Sequence, residues 1–422
     1  MKLIGIVAIV FSLASASAFA QSGQSQPPAT QRVIVTSTLP PIKPPVKPVA
    51  APTAAPRPLA TPVIVVPSSP AGAPISQASN LNYKGLSFAQ IKSKLAEAKR
   101  YLATRPMTIG STVSIVPTSI IRVAFYDDRT RQIDSYVLTK EQFLAHGAST
   151  MVISSAGKQL VSRTIRGNGV NTPVVITDQA GHEHMPLMVQ YPRESRGVLQ
   201  EMAYYVSSHP KMITPEVVSA GRFYVRNVID MARDQLKRKG YSIQPKVADI
   251  AERLSTVEHV DHLRFRTEPH ANIYNDIFTL YALNEGQTYR YSVSSAGAGG
   301  MVQMIPSTYR MVRAHHPNAA LMPDFVEGMR NHVNAAQAML LYMQMTWNDL
   351  IASPTVYNAL QTKIATQEQL MAAGYNSNPA KLAGYINRAG ASWTILIPRE
   401  TKVYLQIWDS LERHVTLSPR KM

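Results

Sequence analysis

Between Gln21 and about Asn80 the chain has no Asp or Glu and carries nearly half of its 30 prolines, with Pro-Pro steps at Pro40-Pro41 and Pro44-Pro45. Most of the rest is Ala, Ser, Thr and Val. Proline lacks a backbone donor, and small or polar side chains bury little apolar area, so such a stretch cannot offset its ordering entropy. It is expected to be a disordered, semi-rigid polyproline-type spacer, reaching on the order of 150 Å at ~3.1 Å per residue. Any packed core is left to the residues that follow.

Ahead of the spacer, Lys2 supplies a positive start, Leu3 to Leu13 an apolar run and Ala18-Phe19-Ala20 a small-x-small site. This pattern predicts a signal peptide over 1–20, cleaved near Ala20-Gln21, and a periplasmic protein. The apolar run is shorter than the ~20 residues of a spanning helix, and no later stretch is long and apolar enough, so no transmembrane anchor is expected after cleavage. With no cysteine in the chain, neither a disulfide nor a thioether-linked lipid is available. The 43 basic and 26 acidic residues leave a net charge of +17, which suits an anionic partner such as the cell wall. Nucleic acid is not an expected partner of an exported chain.

Order resumes where Ser87 and Gln90 fit a capping box and Leu86 with Ile91 a hydrophobic staple, followed by helical spacing of Ile91, Leu95 and Leu102 up to Pro106. From Thr108 to Pro192 the texture turns to short runs rich in Val, Ile, Thr and Tyr: Thr112-Val116, Ile120-Tyr126, Ile133-Leu138, Thr150-Ser154, Gln159-Ile165, Pro173-Thr177 and Leu187-Tyr191. These predict a small β-sandwich or barrel. Helical texture returns with Thr214 as N-cap and Pro215 at the first helical position of a segment that stops at Gly240. The expected fold is α+β and multidomain: the signal peptide, a spacer over 21–80, a helix plus small β domain over 84–200, and a helical domain over 201–422.

The segment Ile277 to Leu283 reads as a buried helix ending in Asn284-Glu285-Gly286. A carboxyl where apolar packing gives way to a loop is partly desolvated, which favours the protonated form that a general acid needs. After it comes Ser294-Ser295-Ala296-Gly297-Ala298-Gly299-Gly300-Met301-Val302-Gln303-Met304-Ile305-Pro306. Further on stand Ala373-Gly374-Tyr375-Asn376 and Pro398-Arg399-Glu400-Thr401-Lys402-Val403-Tyr404. In spacing and order these resemble the signature of the soluble lytic transglycosylase family, over roughly 273–408.

The resemblance implies a C-terminal all-α, lysozyme-like (goose-type) domain that cleaves peptidoglycan between N-acetylmuramic acid and N-acetylglucosamine, a carbon-oxygen lyase leaving a 1,6-anhydro ring. It also implies residue roles: Glu285 as acid/base, Ser294 and Tyr375 orienting its carboxyl, and Gln303, Met301, Ile305, Asn376 and Glu400 lining the sugar groove. The chain departs from the family pattern at Gly286, Thr288, Met301-Val302 and Gly374. Two alternatives therefore stand beside the enzyme: a non-catalytic wall-binding or assembly protein, and a goose-type-lysozyme-like muramidase that uses water. The long arm and the β region suggest attachment to an envelope-spanning secretion or conjugation apparatus, against a plain wall-binding accessory.

Other patterns are weaker. Gly297 to Gly300 follows no strand that would make it a phosphate loop, so a tight turn is expected. His182-Glu183-His184 and Glu258-His259-Val260-Asp261-His262 have the composition of metal ligands but not His-Glu-x-x-His spacing. They are read as surface histidines, and no metal or cofactor is expected.

Overall fold

The computed structural model describes residues 85–105, 107 and 117–421. The expected signal peptide, the proline-rich spacer and the run Thr112-Val116 lie outside the described residues. The first element is α1 (Phe88–Ala103), opened by the Ser87/Gln90 capping box. Its apolar stripe of Ile91, Leu95, Ala98 and Leu102 packs on Ala124, Tyr126, Leu187 and Met188.

Seven antiparallel strands follow: β1 (Ile120–Asp127), β2 (Gln132–Thr139), β3 (Ser149–Ile153), β4 (Gln159–Thr164), β5 (Val174–Asp178), β6 (Glu183–Ser195) and β7 (Val198–Tyr205). A short helix α2 (Lys140–Leu144) sits between β2 and β3. The order across the sheet is β2-β1-β6-β5-β4-β3, with β7 paired to the far half of β6. Register shifts at Ala124/Phe125 and Arg193/Glu194 bend the long β6 and its partners, as bulges do. The sheet curls until its edges approach, where Ser155 N–H donates to the Ser135 carbonyl at 2.7 Å. Across the concave side the Tyr136 and Ser162 hydroxyls meet at 2.7 Å, both buried.

The helical region runs through α3 (Pro215–Arg238), α4 (Pro245–Val257), α5 (His262–Thr267), α6 (His270–Asn284), α7 (Pro306–His315), α8 (Phe325–Arg330), α9 (His332–Ile351), α10 (Pro354–Gln361), α11 (Gln367–Asn376), α12 (Leu382–Ala389) and α13 (Arg399–His414). Helix α6 is buried from Asp276 to Leu283 on every side, which is why its sequence is apolar without a strong stripe. It lies against α3 so closely that a Cβ at Gly221 would come within 1.8 Å of the Phe278 carbonyl oxygen. Among the described residues no helix is long and apolar enough to cross a membrane.

These elements correct the expected fold class. Among the described residues there is no separate small β-sandwich or barrel ahead of an all-α lysozyme-like domain. The strands form one curled antiparallel sheet, a half-barrel over residues 120–205, and the helical region that follows shares its core. Tyr136, Leu160, Ile176 and Tyr191 of the sheet belong to the same buried cluster as Tyr224, Ile229, Tyr281 and Met339 of the helices. The Asn284 side chain joins the two, accepting from Val206 N–H at 2.9 Å and donating to the Val206 carbonyl at 2.8 Å. The physical reason is that alternation reports only that one face of a strand is buried. It does not say whether a second sheet or a helix buries it.

Candidate active site

The Ser294–Pro306 stretch folds as a tight loop. Ser294 N–H donates to the Ala298 carbonyl at 2.8 Å, and its Oγ accepts from Ala298 N–H at 3.0 Å. The antiparallel bridges Val293↔Gly299 and Gly299↔Met304 then fold the loop back on itself. Gly300 has φ +67 and lies where a Cβ would come within 2.6 Å of the Met329 carbonyl oxygen, so only glycine fits. Gln303 holds φ 46 without being glycine, and its Nε2 donates to the Gly300 carbonyl at 2.8 Å. Such a backbone persists only where surrounding contacts hold it, a condition common at functional sites.

Two other segments grip this loop, and α13 is tied to both of them. His259 Nε2 donates to the Met301 carbonyl at 2.9 Å. Its ring stacks on Tyr289, centroids 3.4 Å apart. From the end of α11 the Tyr375 hydroxyl donates to the Val302 carbonyl at 2.6 Å. Asn376 Oδ1 accepts from Thr401 Oγ1 at 2.9 Å, which ties α11 to the first turn of α13, where Glu400 is exposed. One turn further along α13, buried Tyr404 gives its hydroxyl to Glu258 Oε1 at 2.7 Å.

Glu258 therefore stands at the meeting point of the motif segments. It is the C-cap of α4, half-buried, next to the His259 that holds the loop. Burial, then the Glu258 carboxylate and Tyr342, push the Tyr375 hydroxyl well above its ordinary pKa. The Tyr281 hydroxyl is pushed up by burial first, with Tyr224, Tyr205 and Glu258 adding to it. A half-buried carboxyl with one tyrosine hydroxyl on it and others around it has the makings of a single general acid.

Glu285 sits elsewhere among these contacts. It caps α6 with φ 43 and ψ −123, a conformation unusual for a side chain bearing a Cβ. Its Oε1 contacts the Lys92 ammonium of α1. Burial and then the Glu285 carboxylate push the Tyr224 hydroxyl up. That hydroxyl donates to His332 Nδ1 at 2.8 Å, and His332 Nε2 donates to the Thr288 carbonyl at 2.9 Å. The two hydrogen bonds expected to orient Glu285 go to other partners: Ser294 to Ala298, Tyr375 to Val302.

The expected groove residues divide likewise. Met301 is fully buried beneath the loop and Gln303 closes it, whereas Ile305, Asn376 and Glu400 stand at or near the surface beside it. Sequence reading weighed Glu258 only within a metal-ligand pattern and not as an acid, although the signal used for Glu285 applied to it equally. Val247, Ile250, Ala251, Leu254 and Val257 are buried along α4, and the carboxyl comes where that packing ends. Only the contacts across the chain separate the two. Compared with known proteins, the chain matches no family model, no curated protein and no solved structure.

Proposed function

We propose that this chain is a peptidoglycan lytic transglycosylase whose acid/base is Glu258. One observation carries the reading: the segments around Met301 and Tyr404 bond directly to the Glu258-His259 pair, and Tyr375, within the field of the Glu258 carboxylate, bonds to Val302 of the same loop. In the proposed reaction the Glu258 carboxyl gives its proton to the glycosidic oxygen as the bond from muramyl C1 to that oxygen breaks. The substrate's acetamido group stabilises the cation. The carboxylate then takes the proton of the muramyl 6-hydroxyl, whose oxygen bonds C1 and closes the anhydro ring. The proton count returns to its start, and neither water nor a second carboxylate is consumed, unlike the two-carboxylate hydrolases.

The net charge of +17 favours an anionic wall polymer. Export to the periplasm and docking on an envelope-spanning secretion or conjugation apparatus through the proline-rich arm belong to the same proposal, resting on the N-terminal pattern and the length of the arm.

The deciding experiment is digestion of murein followed by mass spectrometry of the products. Anhydro-ended muropeptides are expected, reducing ends would indicate a muramidase, and no products would indicate a binding protein. Glu258→Gln should lower the rate by a factor on the order of a hundred to ten thousand, with Glu285→Gln retaining most activity. The reverse ranking would return the acid role to Glu285.

A further inference from the structure

Two turns meet at one end of the half-barrel. One follows β1 and carries Asp128; the other joins β5 to β6 and carries His182, with Asp178 ending β5 and His184 near the start of β6. Pairing of β1 with β6 (Tyr126↔Met185) and of β5 with β6 (Ile176↔His184) fixes both turns side by side. One ligand atom each from Asp128, His182 and His184 lies within 4.8 Å of the other two. His182 Nε2 and Asp128 Oδ1 are already 2.6 Å apart.

The second observation is His184 itself. It is 2% exposed, yet neither ring nitrogen has a hydrogen-bond partner. The nearest carboxylates, Asp127 Oδ1 to Nδ1 and Asp178 Oδ2 to Nε2, are each 3.7 Å away. Buried polar groups ordinarily find partners, so an imidazole held against Phe125 with both edges unmet needs an explanation.

We propose that Asp128, His182 and His184 bind a divalent first-row transition cation, Zn²⁺ being the natural occupant. Two imidazoles and one carboxylate suit Zn²⁺ and not Ca²⁺ or Mg²⁺, which prefer all-oxygen shells. His184 is the rigid ligand; Asp128 and His182 have side chains 55% and 27% exposed and close onto it. Asp127 and Asp178 face the two ring nitrogens, so whichever nitrogen is left off the metal has a carboxylate placed to orient the ring. The ion would staple the β1–β2 turn to the β5–β6 turn, with no part in glycan cleavage.

The test uses the full chain after chelation and dialysis, titrated with ZnCl₂ by calorimetry, with CoCl₂ absorption reporting imidazole coordination. One equivalent is expected to bind. His182→Ala, at a half-buried side chain, and Asp128→Asn, at an exposed one, should weaken binding by about tenfold or more, and His315→Ala, at an exposed histidine on α7, should not. Absence of stoichiometric binding, or binding that survives in the Asp128→Asn/His182→Ala double variant, would overturn the proposal.

Discussion

At the scale of single residues, the carbonyl end of α4 points toward Glu258, where a carboxylate is disfavoured by about 0.3–1 kcal/mol unless donors satisfy it. Tyr404 supplies such a donor at 2.7 Å. Tyr404→Phe keeps the ring packed and removes the hydroxyl, so it should cost roughly 1–3 kcal/mol, or ten- to a hundredfold in muropeptide release, with folding little changed. Full activity in that variant would separate Tyr404 from the chemistry. His332 governs stability in a different way. Burial pushes its pKa down to about 4 from an ordinary 6.5, with the Thr288 hydrogen bond opposing. Between those values the unfolded chain binds more protons, so stability is complete above about pH 6.5 and is lost as pH falls toward 4. The loss between pH 7 and pH 5 should be on the order of 2 kcal/mol from His332 alone, seen as a lower urea midpoint. His209, pushed down to about 3 by burial, acts in the same direction. His332→Gln should flatten that dependence, and an equally steep slope in the variant would contradict the assignment.

Among the elements, the α3–α6 contact is the tightest point of the helical region. Gly221→Ala drives a methyl group into the Phe278 carbonyl, so backbone must shift, at about 1–3 kcal/mol or more. Gly384, inside α12, has nothing within 4 Å of a built Cβ. Gly384→Ala should raise stability by up to about 1 kcal/mol through helix propensity. Thermal melts of the two variants check both signs, and equal shifts would mean that the close approach is absent. Several elements were legible in advance because their signals are local. The Ser87/Gln90 box opens α1, Thr214 and Pro215 open α3, and the runs at Ile120, Ile133, Thr150, Gln159 and Pro173 are strands. Strand β7 was not, because Val198–Tyr205 mixes Gln, Glu and Met with no strict alternation and gains its partners only from β6.

For the molecule as a whole, the C-terminal tail returns to lock the helical region. Arg420, 5% exposed, reaches Asp230 at 2.6 Å, Asp249 at 2.9 Å and Glu252 at 2.6 Å. Burial raises the pKa of Glu252, against the opposing pull of Arg420 and Arg226. Arg420→Met strands two buried carboxylates beside α3 and α4 and should cost about 3–5 kcal/mol, with Glu252→Gln recovering part of it. A melting temperature unchanged by Arg420→Met would show that the knot contributes nothing. No reading of spacing found this knot, since its members are far apart in the chain and each looks like a surface charge. The amino-acid sequence by itself determined the change from strand to helix texture, the caps and the motif loop with its glycines, because these depend on side-chain period and backbone freedom over a few residues. Tertiary structure alone decided that the sheet curls over a core shared with the helices, that Tyr375 gives its hydroxyl to Val302 while Tyr404 gives its own to Glu258, and that His184 is buried with no hydrogen-bond partner. Those outcomes depend on which distant groups exclude water together, and burial is a property of the packed chain that no local spacing encodes.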